Sequence, residues 1–375
     1  KIDLNGAEMK ILFLIPRMNN GGAERVIAYL ANEFSKNNSV KILTLVGNKS
    51  FYELNSNVKF ESLNCVINRK NKITRNYSMV KNFIEALRFI SKKVNEFKPD
   101  VVISFLFETN LIVYLLKVFG KLKSIKWISS ERCDPKKGNL LVRKLTNIIF
   151  MKTDLLVCQS KAVLNYYNRI KNKIVISNPI DISLIPKPIT EGNTLKICAV
   201  GRLMAQKNFS LLINAFYLLK QEANENVTLT IYGEGVLRNR LENQICSLNL
   251  EKSVFLPGKS NDVLNEIKDS TIFVMSSDYE GFPNALLEAM AVGLPVISTD
   301  FPTGTARELI HKENGIIVPC GDKIALKNAM LELLNDKAKR EKMRKNNLYV
   351  RDKYSVEKIC RQWEEAIGVL ANFKE

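Results

Sequence analysis

One histidine, His311, stands among 375 residues. A histidine base, a histidine-rich metal centre or a Ser-His-Asp triad therefore has little to build on. Cysteines at 65, 133, 158, 198, 246, 320 and 360 are scattered, odd in number and never spaced C-x-x-C. That pattern excludes a disulfide framework and a zinc ribbon, and it reads as reduced packing cysteines of a cytosolic protein. No apolar run reaches the roughly 18 residues of a membrane span; the nearest, 111–120, is short and contains Lys117. With no leader-like segment either, the chain is expected to be soluble or peripheral. No strand-like run is followed by G-x-G-x-x-G, which argues against a dinucleotide oxidoreductase. No D-x-D pair is present to hold a metal diphosphate, and no recognisable nucleic-acid module appears.

What is present suffices for two domains of ordinary size, with 46% apolar residues to fill two cores. Strand-like runs alternate with helical ones. In the first half they fall at 10–16, 40–46, 100–105, 125–130 and 154–158, with an amphipathic helix after the first and a longer one over 78–97. In the second half they fall at 195–200, 227–232, 254–256, 271–275, 295–298 and 315–318. Alternation of this kind predicts an α/β protein with parallel, doubly wound sheets covered on both faces. Asn178-Pro179 and the prolines at 186 and 188 mark a linker over 181–193, between domains at 9–180 and 194–350. A last amphipathic helix covers 354–373, and residues 1–8, ahead of Met9, read as a possible expression remnant.

Charge divides unevenly. Residues 1–180 hold 31 Lys and Arg against 13 Asp and Glu, whereas residues 181–375 hold 25 of each. The segments 68–75 and 143–152 mix cations with apolar side chains, a composition attracted to anionic lipid.

The most informative stretch is 277–291. Glu280 lies just before a predicted helix start, with Gly281, Phe282 and Pro283 between, and Asn284, Ala285 and Leu286 open the helix. Pro283 suits a first turn, where its missing N–H is no loss. Glu288 falls one turn beyond Asn284 on the same face. A helix start offers N–H donors and a positive dipole end to an anion, and a glutamate one turn in can accept from a ribose diol. After the strand at 195–200, Arg202 and Lys207 sit in a loop ahead of a helix. There they can bind a diphosphate and offset the charge that grows on it as a group departs. Gly21 and Gly22, after the first strand, let backbone amides approach a ligand, while Glu24 steadies the helix that follows.

These landmarks, in this order, resemble the E-x7-E signature of retaining glycosyltransferases of the GT-B fold, in the family-4-like group that includes bacterial glycan, O-antigen and capsule assembly enzymes. The resemblance runs from Met9 to about Phe373. It implies two Rossmann-like domains facing a cleft, with the last helix packed back on the first domain. It implies that Glu280 binds the transferred sugar, Glu288 the ribose, and Arg202 and Lys207 the diphosphate. Backbone groups of the turn at Gly258 and Lys259 hold the base, and Gly21 and Gly22 form the acceptor-side glycine loop. Arg132 stands where relatives commonly place a donor-contacting histidine; a guanidinium there could serve the phosphates, or form a local salt bridge. Residues 303–308 and 313–315 match later landmarks of architectural character.

The expected reaction moves a hexose or N-acetylhexosamine from a nucleotide-sugar, UDP-linked as the first guess, to a lipid-linked or oligosaccharide acceptor. Anomeric configuration is retained, and no metal or other cofactor is expected. The alternatives are a GT-B nucleotide-sugar epimerase, a glycosyltransferase with a soluble acceptor, or a non-catalytic lectin-like protein. The basic first domain is expected to dock peripherally on the inner face of the cytoplasmic membrane; nucleic acid is not an expected partner.

Overall fold

The computed structural model describes residues 8–65, 72–136, 139–186, 195–222 and 226–372. The chain divides into two compact units, Lys1–Asn178 with Glu357–Glu375, and Pro179–Val356. Most of the expected linker (187–193) and of the expected remnant (1–7) lie outside the described residues, as do residues 68–71 of the first basic segment.

Unit 1 runs β1 (Lys10–Ile15), α1 (Gly22–Phe34), β2 (Ser39–Thr44), β3 (Lys59–Ser62), α2 (Lys72–Phe97), β4 (Val101–Phe105), α3 (Phe107–Val118), β5 (Lys126–Glu131), α4 (Leu140–Phe150), β6 (Leu155–Cys158), α5 (Lys161–Tyr166) and β7 (Lys173–Val175). Its seven parallel strands are ordered β3-β2-β1-β4-β5-β6-β7. All five residues of β4 are buried, as a central parallel strand covered on both faces requires. Alternate residues along the strands serve opposite faces. Leu12, Leu14, Val102 and Trp127 join a core with residues of α2, α3, α4 and α5. Phe13 stacks instead on Phe34 of α1.

Unit 2 runs β8 (Leu195–Val200), α6 (Phe209–Glu222), β9 (Val227–Tyr232), α7 (Arg238–Ser247), β10 (Val254–Gly258), α8 (Val263–Ile267), β11 (Ile272–Met275), α9 (Asn284–Val292), β12 (Val296–Thr299), α10 (Thr305–Leu309), β13 (Gly315–Val318), α11 (Lys323–Asn335), α12 (Lys337–Asn347) and α13 (Tyr349–Lys353). The final helix, α14 (Val356–Asn372), belongs from Glu357 onward to unit 1. There Trp363, fully buried, stacks on Phe105 of β4 with ring centroids 6.0 Å apart. The sheet order of unit 2 is β10-β9-β8-β11-β12-β13. Counted from the first strand of each sheet, both units share the order 3-2-1-4-5-6. This is the doubly wound arrangement with a switch point between the first and fourth strands.

Three details differ from the sequence reading. The short strands β3 and β7 lack a strong apolar pattern, since both are half-exposed. The long helix starts at Lys72 rather than at 78. Pro283 precedes α9 as its N-cap residue instead of occupying the first turn. The other end of α9 follows expectation: Gly293 closes it in the left-handed region at φ +95°.

Candidate active site

In doubly wound sheets, ligands bind beyond the carboxyl ends of the strands at the switch point. In unit 2 that point lies between β8 and β11, so the loops after these two strands define the place to look. Both carry the residues singled out above.

The loop after β8 turns tightly. Gly201 N–H donates to Tyr232 O at 2.9 Å, and Leu203 N–H donates to Glu234 O at 2.9 Å. Gly233, at φ +147°, lies so close that a Cβ there would sit 1.9 Å from Gly201 O. The glycine is required by space as much as by angle. A short 3-10 turn, Ala205–Lys207, follows, and Asn208 closes it in the left-handed region at φ +43°, a conformation asparagine tolerates. Asn208 Nδ2 then donates to Asp278 Oδ1 at 2.8 Å, and Asp278 N–H donates to Gln206 O at 2.9 Å. Ser276 Oγ donates to Lys207 O at 2.8 Å. The loops after β8 and β11 are thus bolted together.

Glu280 sits at their junction, 6% exposed. Its Oε1 accepts from Lys207 Nζ at 2.6 Å and from Ser277 Oγ at 2.8 Å; its Oε2 accepts from Gln206 Nε2 at 3.0 Å. Its backbone carbonyl accepts from Thr303 Oγ1 at 2.8 Å, and Thr303 meets Thr305 at 2.9 Å. Lys207 packs its stem across Gly201, where a Cβ would meet Lys207 Cε at 2.9 Å. The lysine expected to face a diphosphate is therefore also the ion-pair partner of the glutamate expected to face a sugar. An ammonium has three N–H donors and a carboxylate about four acceptor positions. The three bonds to the Glu280 carboxylate leave both groups capacity for a further partner.

Arg202 is exposed and makes no ion pair with the described residues. Gly281, Pro283, Asn284, Ala285 and Leu286 follow Glu280 into α9, and Phe282 leans on Tyr354. Glu288 is half-buried on α9, one turn after Asn284. Gly258 ends β10 at φ +95° and accepts from Gly233 N–H at 2.8 Å, and exposed Lys259 follows it. His311 is exposed, edge-on to Tyr349. The sequence assigned no role to Gln206 and Ser277, and only an architectural one to the stretch that holds Thr303. The signal was weak, because neutral polar residues in loops are common and become meaningful once the loops are folded against each other.

Unit 1 has its own site candidates. Gly22 opens α1, Gly21 caps it, and the Glu24 carboxylate folds back so closely that a Cβ on Gly21 would meet it at 2.2 Å. At the carboxyl end of β4, Leu106 adopts φ +72° and ψ +159°, a region nearly reserved for glycine and costly for leucine. Arg132, after β5, is 8% exposed. Its Nη1 donates to Asn178 Oδ1 at 2.6 Å, and its guanidinium lies 4.8 Å from the Phe105 ring and 5.8 Å from the Trp363 ring. Nε and Nη2 find no acceptor among the described residues, and Oε1 of neighbouring Gln159 finds no donor. Burial pushes the guanidinium down to about 9. Glu131 is not its ion-pair partner: the carboxylate accepts from Tyr167 Oη at 2.6 Å and from Cys133 N–H at 2.9 Å, and burial raises its pKa. The arrangement is a cation beside a stacked aromatic pair, with two unmet donors, and not a local salt bridge.

The family model for glycosyl transferases group 1 matches residues 183–348. A Campylobacter jejuni protein is 31% identical over 352 residues, 90% of this chain and 92% of the relative. Its name is N-acetylgalactosamine-N,N'-diacetylbacillosaminyl-diphospho-undecaprenol 4-alpha-N-acetylgalactosaminyltransferase. The chain belongs to this glycosyltransferase family. A second C. jejuni relative is 27% identical, covering 97% of this chain and 99% of its own; it is named as an alpha-1,4-N-acetyl-D-galactosaminyltransferase acting on a PP-undecaprenol glycan. Among solved structures, Anabaena HepE in complex with UDP and glucose superposes with a TM-score of 0.77 at 17% identity, covering 96% of this chain and 99% of that one. The last likeness bears on the fold: GT-B, with two Rossmann-like units. No described helix is long and apolar enough to cross a membrane, and all seven cysteines are free.

Proposed function

We propose that this glycosyltransferase moves a hexose or N-acetylhexosamine from a nucleotide-sugar to a lipid-linked glycan, with retention of anomeric configuration. The observation that carries the reading is Glu280, fixed by Lys207, Ser277 and Gln206 where the loops after β8 and β11 meet. The relatives named above transfer N-acetylgalactosamine to undecaprenol-linked glycans and make alpha linkages. The usual activated form of that sugar is an alpha-linked uridine diphosphate, so a UDP-sugar is the first donor to test.

In this mechanism the bond from the anomeric carbon to the diphosphate oxygen breaks. The acceptor oxygen bonds to the same face of that carbon, and the acceptor proton passes to the departing phosphate oxygen. No histidine base is needed. The enzyme orients the partners and offsets charge growing on the leaving group. Arg202, exposed, and Lys207, through its remaining N–H donors, serve the diphosphate. Glu280 accepts from a hydroxyl of the transferred sugar through its remaining acceptor position, and Glu288 accepts from the ribose. The amides of Gly281–Leu286 add donors, the turn at Gly258 and Lys259 holds the base, and Gly21 and Gly22 approach the acceptor. Two cations take the part that a metal plays in other transferases, so none is required. The basic unit holds the enzyme to the cytoplasmic face of an anionic membrane.

Incubation with a panel of radiolabelled nucleotide-sugars, with and without lipid-linked acceptor, tests the reading. Transfer of one UDP-sugar, an alpha product by NMR and full activity in EDTA are expected. A beta product overturns retention. EDTA inactivation reversed by magnesium or manganese overturns metal independence. Interconversion of the sugar without transfer makes the protein an epimerase.

A further inference from the structure

The crossover helices of unit 1 run against its parallel strands, so α2, α3 and α4 all begin at the carboxyl end of the sheet. That is the end that carries Gly21, Gly22 and Arg132. α4 is 11 residues long and α2 is 26. At about 39 Å, α2 is far longer than the roughly 17 Å of β4, and its first turns project beyond the sheet.

The first turn of α4 and residues 79–84 of α2 carry apolar side chains that face solvent. Leu140 and Leu141, opening α4, are 62% and 72% exposed, and Val142 follows them. On α2, Met79, Val80 and Ile84 are also exposed. Leucines open to solvent in consecutive positions are unusual for a surface helix. The cations beside them complete the pattern. Lys144 on α4 is exposed, and α4 contains no carboxylate, whereas Lys81 on α2 has Glu85 at 3.9 Å. The segment 143–152 is a poorer candidate than its composition implies. Ile149 and Phe150 are buried, and Arg143 donates to Tyr166 Oη at 3.0 Å. The charge of the whole unit has the matching sign: 34 Lys and Arg against 17 Asp and Glu, while unit 2 holds 22 against 21.

We infer that the first turns of α4, with Met79, Val80 and Ile84 of α2, insert into an anionic lipid bilayer, which sets the carboxyl end of the unit 1 sheet toward the membrane. The inference rests on the lipid-linked acceptor reading for its purpose and adds the surface and the orientation. Leu140, Leu141 and Val142 enter the acyl boundary, and Lys144 meets lipid phosphates. The Gly21–Gly22 loop, on the same end of the sheet, is then brought toward a glycan tethered to that membrane.

The test is co-sedimentation of the full chain with phosphatidylglycerol vesicles and with phosphatidylcholine vesicles, without glycolipid, across a salt series. Wild-type protein should prefer the anionic vesicles and release as salt screens the attraction. L140S/L141S should weaken partitioning by roughly ten-fold or more, since two exposed leucines lose their burial. Its thermal melt and its transfer to a water-soluble acceptor should not change. Val369→Ser, at a valine 57% exposed on α14, should partition like wild type. Unaltered partitioning of L140S/L141S, an equal loss in Val369→Ser, or equal binding to both vesicle types would overturn the inference. So would conversion of a dimer to a monomer by L140S/L141S, which would make the leucines a self-association face. Failure of the acceptor reading shows separately, as intact vesicle binding with no preference for lipid-linked over free glycan.

Discussion

Two sheets with the same strand order have been put to different uses. At the switch point of unit 2 the polar groups are paired, with Glu280, Lys207, Gln206, Ser277 and Thr303 joining the loops after β8, β11 and β12 by bonds of 2.6–3.0 Å. The carboxyl end of unit 1 holds a leucine in a strained conformation, a buried arginine with unmet donors, and exposed apolar turns rich in cations. A preorganised polar cluster suits a small, fixed ligand. Greasy turns and strained backbone suit a surface that completes itself on a partner. The fold is common to both, and the loops decide.

The largest effects should come from dismantling the paired cluster. Lys207→Met and Glu280→Gln should each lower turnover about a hundred-fold, read as kcat on the best donor. Because the two side chains touch, the double variant should lose far less than the product of the single losses. Strictly multiplicative losses would show that the pair does not act as a unit. Arg202→Ala should also cost more than about ten-fold while leaving the melting temperature alone, since Arg202 is exposed.

Next in size is the scaffold of the same cluster. Gly233→Ala should destabilise by about 3 kcal/mol in denaturant unfolding, because its Cβ collides with Gly201 O. Gly120→Ala, at φ +73° with nothing within 4 Å, should cost about 1 kcal/mol. Equal costs would mean that the angle, and not the close approach, makes Gly233 necessary.

In unit 1 the strain can be relieved. Leu106→Gly should raise stability by about 1 kcal/mol, and it should lower transfer to the acceptor if the strained turn positions that side of the site. A loss of stability would show that leucine packing outweighs the backbone cost.

The smallest effect concerns pH. Glu61 is held below the usual carboxylate range by hydrogen bonds from Lys41, at 2.6 Å, and Lys93. Its folded pKa lies below its unfolded one, so its contribution is complete above the unfolded pKa and fades as pH falls through the carboxylate range. Glu61→Gln should therefore cost at most about 1 kcal/mol near neutrality. The gap between variant and wild type should close between about pH 5 and pH 3. A gap independent of pH would assign the loss to packing.

Much of this was legible before any coordinates. Apolar strands such as 101–105 and 272–275 announce themselves, because a central parallel strand is buried on both faces and must be written in apolar residues. The edge strands β3 and β7 did not, since an edge is half solvated and its composition is mixed. Glu280, Arg202 and Lys207 stood out because charges flanking a helix start or a strand end are chemically pointed. Gln206 and Ser277 were silent.

The sequence by itself determined the alternation of strand and helix, the family resemblance, and the placing of excess positive charge in the first half. Those properties are local or additive, and so they survive in a string of residues. The tertiary structure alone decided that Lys207 lies 2.6 Å from Glu280 across 73 positions. It also decided that Arg132 is flanked by aromatics from β4 and a helix more than two hundred residues later, and that Leu140 and Leu141 face water. Contact between distant segments depends on how the crossovers wind back over the sheet. No local pattern of residues encodes that distance.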